Sequence, residues 1–442
     1  MHVKAWLVGG WDRIRGSFWF VPSLMSAAAV GLAAGALALD RGSAGRWIEV
    51  LGLAYGGSAE GAADVLKTIA GSMMTVAGVV FSITLVALSL ASSQFGPRVL
   101  RNYMRDPVNQ AVLGAFVATF LYCILVLLAV RRVDEGAFVP QISVAVAVAL
   151  ALASMALLVY FIHHVAVSIQ ADELIARLGA ELDGRVQALF PERIGQAAKR
   201  PPGRTLPEAF AGDSRELAAE MDGYLQIVDA DALLRIASSR ELVLRLEKRP
   251  GDYVSRGMAL ARIWPASSAP GELDRELGGA FTIGSQRTPA QDIGFGVQQL
   301  VEVAMRALSP GVSEPFTAFA CIDRLGSALR GLAQREPPAA ARADDQGRVR
   351  LVAPAATFPQ VLAAAFDPIR LAADGDVPAS MRLLDALDAV IAVATRPEDL
   401  EALQRQAVLL ATAAQSHPAS RREGLLARCE ATLAGCEARA SR

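Results

Sequence analysis

Thr68, Ser72, Thr75, Ser82, Ser89 and Ser93 follow one another on alternating steps of four and three residues, with Val79 and Val86 filling the two gaps. That spacing stacks all eight side chains along one stripe of an α-helix. No ionisable side chain occurs between Lys67 and Arg98, and the remaining faces carry Ile69, Met73, Val76, Val80, Ile83, Leu85, Leu88 and Leu90. An uncharged hydroxyl stripe in such a helix has one chemistry open to it: its dipoles replace part of the hydration of an ion or a water molecule. In this reading the eight positions are pore-lining, and Val79 and Val86 are apolar constrictions that gate by dewetting. Arg98, Arg101 and Arg105 follow directly and make a positive mouth that concentrates anions. The competing reading is packing, because Gly71, Gly78, Ser82 and Ser89 are the small residues that let membrane helices approach closely.

Catalytic constellations are missing from the sequence. The four histidines are His2, His163, His164 and His417, and three of them lie at the N-terminus or the edge of an apolar window. The sequence contains no GxSxG elbow, phosphate-binding loop or dinucleotide fingerprint. Cys123, Cys321, Cys429 and Cys436 form no CxxC pair and no metal-spaced set with histidine, so neither a disulfide framework nor a metal site is expected. The expectation is a protein that is not an enzyme and uses no cofactor. A formal net charge of −1 without a Lys/Arg block gives no footprint for nucleic acid. Proton-coupled transport is disfavoured because the apolar windows hold no carboxylate or lysine.

The elements that must position the stripe follow from hydropathy. Mean hydropathy is +0.35, and charged residues make up 20% of the chain but are unevenly placed. Uncharged windows at 16–39, 68–97, 107–130 and 136–162 each reach the roughly 20 residues a spanning helix requires. The first is longer than a signal-peptide core and reads as a retained anchor, with Trp6, Trp11, Trp19 and Trp47 around its ends. Lys4, Arg13 and Arg15 before it, and Arg98, Arg101 and Arg105 after the second window, belong on one side. The positive-inside rule makes that side cytoplasmic, with both termini inside a bacterial inner membrane.

Residues 169–218 read as an amphipathic connecting helix and a linker, the helix lined by Val165, Ile169, Leu174, Ile175, Leu178, Leu182, Val186 and Leu189. Residues 219–268 change to a period of two, with strands expected at 224–228 and 242–246 and a turn-rich run, Pro250-Gly251-Asp252-Tyr253-Val254 to Ile263. That run resembles the barrel-sandwich module of lipoyl and biotinyl carrier domains. Lys248 stands outside the carrier-lysine context, so an assembly use of the module is expected instead. Residues 269–442 read as mainly helical. Helices are expected at 291–308, 357–373, 378–395, 397–415 and 419–438, with a polar loop at 335–347 and a strand at 349–352. The expected fold is an α-helical membrane protein: four transmembrane helices (1–168) plus a cytoplasmic α+β domain.

Two further runs carry a resemblance: Ser89-Leu90-Ala91-Ser92-Ser93-Gln94-Phe95-Gly96-Pro97-Arg98, and Phe281-Thr282-Ile283-Gly284-Ser285-Gln286-Arg287-Thr288-Pro289-Ala290-Gln291-Asp292 continuing to Val312-Ser313-Glu314-Pro315-Phe316-Thr317-Ala318. With them the chain resembles an uncharacterised bacterial family of predicted four-span membrane proteins. The resemblance implies topology and localisation and brings no activity. Arg287, Asp292 and Glu314 fall near the ends of the helices in the second run and form a candidate ligand or contact site. Ser313 is the expected N-cap of the helix after Pro310-Gly311. Two functions stay open: an oligomeric, anion-permeable channel lined by the second span, or a membrane-anchored sensor or scaffold without transport.

Overall fold

The computed structural model describes residues 19–41, 58–95, 106–130, 139–168, 170–190, 206–268, 271–338, 340–415 and 419–441. The chain divides into two compact units, one ending at Gln170 and the other beginning at Ala171.

Among the described residues of the first unit four helices are long and apolar enough to cross a membrane: α1 (Phe20–Arg41), α2 (Ala59–Phe95), α3 (Pro107–Leu127) and α4 (Gln141–Ser168). Helix α3 is the central one, with 61% of its most apolar stretch buried against 22% for α1. Small residues bring the helices together: Ala29, Ala33 and Ala36 on α1, and Ala62, Ala70, Ala77, Ala87 and Ala91 on α2 are all buried. A close approach lies at Gly114 on α3, where a Cβ would lie 2.7 Å from Met25 Sδ and 3.1 Å from Pro22 Cα of α1. A larger residue there must displace the Met25 side chain and crowd the Pro22 backbone.

Several polar side chains within this bundle find partners, though the buried Asn109 amide does not. Thr119 and Ser154 join α3 to α4 at 3.2 Å, and the Tyr122 hydroxyl donates to the Ser143 carbonyl. Asp40, at the end of α1, accepts from Ile142 N, Ser143 N and Ser143 Oγ, and so caps α4 across helices. At the opposite end of the bundle Asp106 caps α3 through Val108 N and meets His164 Nε2 at 2.8 Å, with the His164 ring stacked on Tyr160. The second span is longer than its uncharged window. Glu60, Asp64 and Lys67 lie ahead of that window and occupy the first turns of the helix, where Lys67 lies 3.4 Å from Asp64.

The second unit opens with α5 (Ala171–Leu189), whose 3–4 spacing buries Leu174, Ile175, Leu178, Leu182 and Val186. Val165 belongs to α4 rather than to this helix. Strands β1 (Arg215–Ala218), β2 (Gly223–Val228), β3 (Val243–Leu246), β4 (Tyr253–Val254), β5 (Ala259–Trp264), β6 (Phe281–Gly284), β7 (Ala341–Ala343) and β8 (Val349–Val352) form two sheets. One has the order β1-β5-β3-β8-β7 and the other β4-β2-β6. Helices α6 (Ala230–Ser239) and α7 (Glu272–Gly278) cover them. Fully buried Leu225, Leu233, Leu244, Ile263, Leu277 and Leu351 make the core of this layer, each contributing about 1.5–3 kcal/mol by burial.

The barrel-sandwich expectation is corrected here, because no closed barrel forms among the described residues. A helix interrupts the strands at 230–239, and β3 takes a parallel partner, β8, from a hundred residues further along, with Leu244 opposite Leu351. The sheets also draw on β1 and β6, outside 219–268. The remaining elements are helices α8 (Ile293–Ala307), α9 (Pro315–Ala333), α10 (Phe358–Ala372), α11 (Val377–Ile391), α12 (Pro397–Ala414) and α13 (Ala419–Ala440). Glu314, not Ser313, is the N-cap of α9, with Pro315 in its first turn. Ser313 takes a φ of 51° and makes the bend before it. The 335–347 segment, expected as loop, contains β7.

The β7–β8 turn supplies a pH-dependent element. Asp344 accepts from Arg348 N at 2.9 Å and from Arg350 Nε at 2.9 Å. Desolvation raises its pKa, but the hydrogen bonds from Arg350 and Arg348 outweigh it and hold the carboxyl at about 2. The folded value lies below the ordinary one, so this stabilisation is complete above about pH 4 and is lost as pH falls towards about 2. Asp344→Asn is expected to flatten that part of the acid dependence of the unfolding midpoint. A variant as acid-sensitive as the parent protein rules the carboxylate out as its source.

Candidate functional site

The hydroxyl stripe lies on the open side of α2. Thr68, Ser72, Thr75, Ser82, Ser89 and Ser93 are exposed or half-exposed, and Val79 and Val86 are exposed at 52% and 66%. The seam that packs onto the bundle is a different one: Ala62, Leu66, Ala70, Met73, Ala77, Val80, Ala87 and Ala91. Gly71 and Gly78, which the packing reading requires at a helix contact, meet nothing within 4 Å. Three of the six stripe hydroxyls turn back to their own helix, Thr68 to the Asp64 carbonyl, Thr75 to Gly71 and Ser93 to Leu90. They therefore need no partner helix to satisfy them. The mouth residues Arg98, Arg101 and Arg105 lie outside the described residues.

In the second unit two of the three predicted site residues come together. Arg287 donates through Nε to Asp292 Oδ2 at 2.8 Å, with Nη2 at 2.6 Å from the same oxygen. Asp292 is 6% exposed, and its other oxygen caps α8 by accepting from Phe295 N. The turn at 249–252 presses onto this pair. Gly251, at φ 98°, is so close that a Cβ would lie 2.4 Å from Asp292 Oδ2. Glu314 lies elsewhere, beyond the far end of α8, which is about 22 Å long at 1.5 Å per residue. It is exposed and accepts from Thr317 Oγ1.

Around Arg287 and Asp292 opens a cleft of about 800 Å³, within the range of small-molecule sites. Its floor is apolar: Phe190, Ile227, Val228, Leu246, Ile293, Pro354, Val361 and Ala364. Its polar wall holds Lys248, Arg249, Arg342, Gln291, Gln298 and Gln360. Gln291 grips strand β2 by accepting from Val228 N and donating to Val228 O. Arg249 donates to Gln360 Oε1 at 2.6 Å, linking the turn to the start of α10. The sequence reading missed Arg249, Arg342, Gln298 and Gln360 because they are scattered over more than a hundred residues. Gly251 was the nearest signal, in a run singled out for its turns.

Elsewhere the chain offers little chemistry. Among the described residues no cluster of His, Cys, Asp and Glu suits a metal ion. The four cysteines are free and buried, and burial pushes the Cys321 thiol up to about 12 and Cys436 up to about 11. His163 is exposed, and His164 is held by Asp106.

Residues 15–389 match the model of a family described as predicted membrane protein (DUF2254). The chain belongs to this family. An uncharacterized protein of Mycobacterium bovis and one of Mycobacterium tuberculosis are each 34% identical to it over 412 residues, covering 91% of this chain and 77% of theirs. No solved structure matches. DUF2254 membership fits the four apolar helices, and makes this a membrane protein in contact with the lipid bilayer.

Proposed function

We propose that this DUF2254 protein is a homo-oligomeric membrane channel whose α2 stripe faces a shared, water-filled axis. The observation that carries the reading is that none of the eight stripe positions is buried on the single chain while the opposite seam of α2 is packed. One hydroxyl-striped helix cannot enclose a conduit, so several copies must surround the axis. Arg98, Arg101 and Arg105 favour anions at the mouth, and the Lys/Arg bias supports a bacterial inner-membrane protein with both termini cytoplasmic. In this reading the chain is not an enzyme, and the second unit regulates or assembles the channel. The cleft at Arg287 and Asp292 favours a second reading, a ligand sensor or scaffold without conduction.

Purified protein in planar bilayers is expected to pass anion-selective current. Val79→Ser or Val86→Ser is expected to raise the conductance by easing wetting of an apolar ring. Replacing Arg98, Arg101 and Arg105 together with Glu is expected to lower the anion preference. Single cysteines along α2 provide a parallel measurement, since the four native thiols are buried and leave a quiet background for water-soluble reagents. Labelling confined to the 68–93 stripe supports a wet face. Absence of current in the parent protein and in both Ser variants defeats the channel and leaves the sensor or scaffold.

A further inference from the structure

We infer that the second-unit cleft is a binding site for a small organic phosphate, with its phosphate between Lys248 and Arg342 and its apolar body on the floor beneath. Most of the charges on the cleft wall are already engaged. Four cations and four carboxylates line the cleft, so the formal count alone predicts nothing. Three of the carboxylates have structural duties. Asp292 holds Arg287 and caps α8, Asp252 accepts from Arg249 N at 3.0 Å, and Asp229 accepts from Ala232 N at the start of α6. The fourth, Asp231, is exposed. Among the cations Arg287 is locked to Asp292 and Gln298, and Arg249 to Gln360.

Lys248 and Arg342 remain. Both are half-buried on the cleft wall, and neither meets a carboxylate among the described residues. With no carboxylate partner among the described residues, both cations offer their donors on this wall to an anionic ligand. An ammonium and a guanidinium together suit a phosphate dianion, the first as a point charge and the second as a planar fork. The N-terminus of α8 borders the same cleft but is already capped by the Asp292 carboxylate, so the two side-chain cations carry the site. The floor at Leu246, Ile293, Val361 and Ala364 has no use for free inorganic phosphate and requires a ligand with an apolar body. This site does not depend on conduction through α2, and its test is a binding measurement on the protein alone.

Phenyl phosphate, inorganic phosphate and phenylacetate are the probes, titrated calorimetrically into the full chain in detergent. Phenyl phosphate is expected to bind at least about tenfold more tightly than either of the others. Lys248→Gln and Arg342→Gln are each expected to weaken it by about tenfold or more, the scale of one charge-assisted hydrogen bond. Unliganded melting temperatures should match the parent protein, since both side chains reach solvent. Dihexanoyl phosphatidic acid separates the sources: displacement of phenyl phosphate supports a lipid headgroup as the natural ligand, and failure to displace supports a soluble phosphate ester. No binding of phenyl phosphate, equal binding of inorganic phosphate, or variants that bind as the parent does would each overturn the inference.

Discussion

Replacing Gly251 with valine is expected to destabilise the second unit by about 2–5 kcal/mol, a large part of the 5–15 kcal/mol that holds a typical domain together. Two costs add. At φ 98° an L side chain is strained by roughly 1–2 kcal/mol. The new Cβ would also lie 2.4 Å from Asp292 Oδ2, and overpacking of that kind typically costs about 1–3 kcal/mol. The relief route, moving Asp292, breaks the Arg287 contact and the cap on α8 together. Gly257 separates the two contributions, for it has φ 85° and a Cβ there would meet nothing within 4 Å. Gly257→Ala should therefore show the backbone cost alone, and Gly251→Ala the backbone cost plus the clash. Equal losses in urea unfolding of the two alanine variants would mean that the turn does not press on Asp292.

Much of this fold is legible in the sequence because its signals are local. Uncharged runs mark all four apolar helices, and 3–4 spacing marks α8 and α10 to α13 within a few residues. The errors arise where a local signal is ambiguous or a distant partner decides. Glu60, Asp64 and Lys67 resemble loop charges, yet the helix continues through them because exposed charges are tolerated at its end. Leu242 to Leu246 reads correctly as a strand, but nothing local says that β8 will pair with it in parallel across a hundred residues.

The candidate site is half legible for the same reason. Arg287 and Asp292 are five residues apart across one helix start, a distance that an N-cap and an ion pair bridge unaided. Glu314 stands in the same run of sequence, and the rigid length of α8 carries it away. Lys248, Arg342 and Gln360 reach the cleft on three different elements, so only the tertiary fold brings them together. On α2 the periodicity identifies the stripe and cannot say which way it faces. The fold answers that through the alanine seam: α3 takes the face that permits the closest approach, and the hydroxyl face remains open.

Asp292→Ala is expected to be the most damaging truncation on the cleft wall, at about 2–4 kcal/mol. Loss of the α8 cap accounts for about 1 kcal/mol. The rest arises because Arg287, only 20% exposed, keeps its charge and loses its carboxylate partner, and breaking one side of a buried pair costs more than removing both. Arg287→Met combined with Asp292→Ala should therefore recover part of the loss, whereas additive losses would show that the pair is not coupled. Asp292→Asn, which can still cap, should fall between the parent protein and alanine. Glu314→Ala, exposed and beyond the other end of α8, should stay within about 0.5 kcal/mol of the parent. The ordering Asp292→Ala, Asp292→Asn, Glu314→Ala in denaturant unfolding follows from one structural fact, that the carboxylate of Asp292 ties the 287–292 loop, the glycine turn and the start of α8 into a single wall. A Glu314→Ala loss as large as that of Asp292→Ala would dismantle that account.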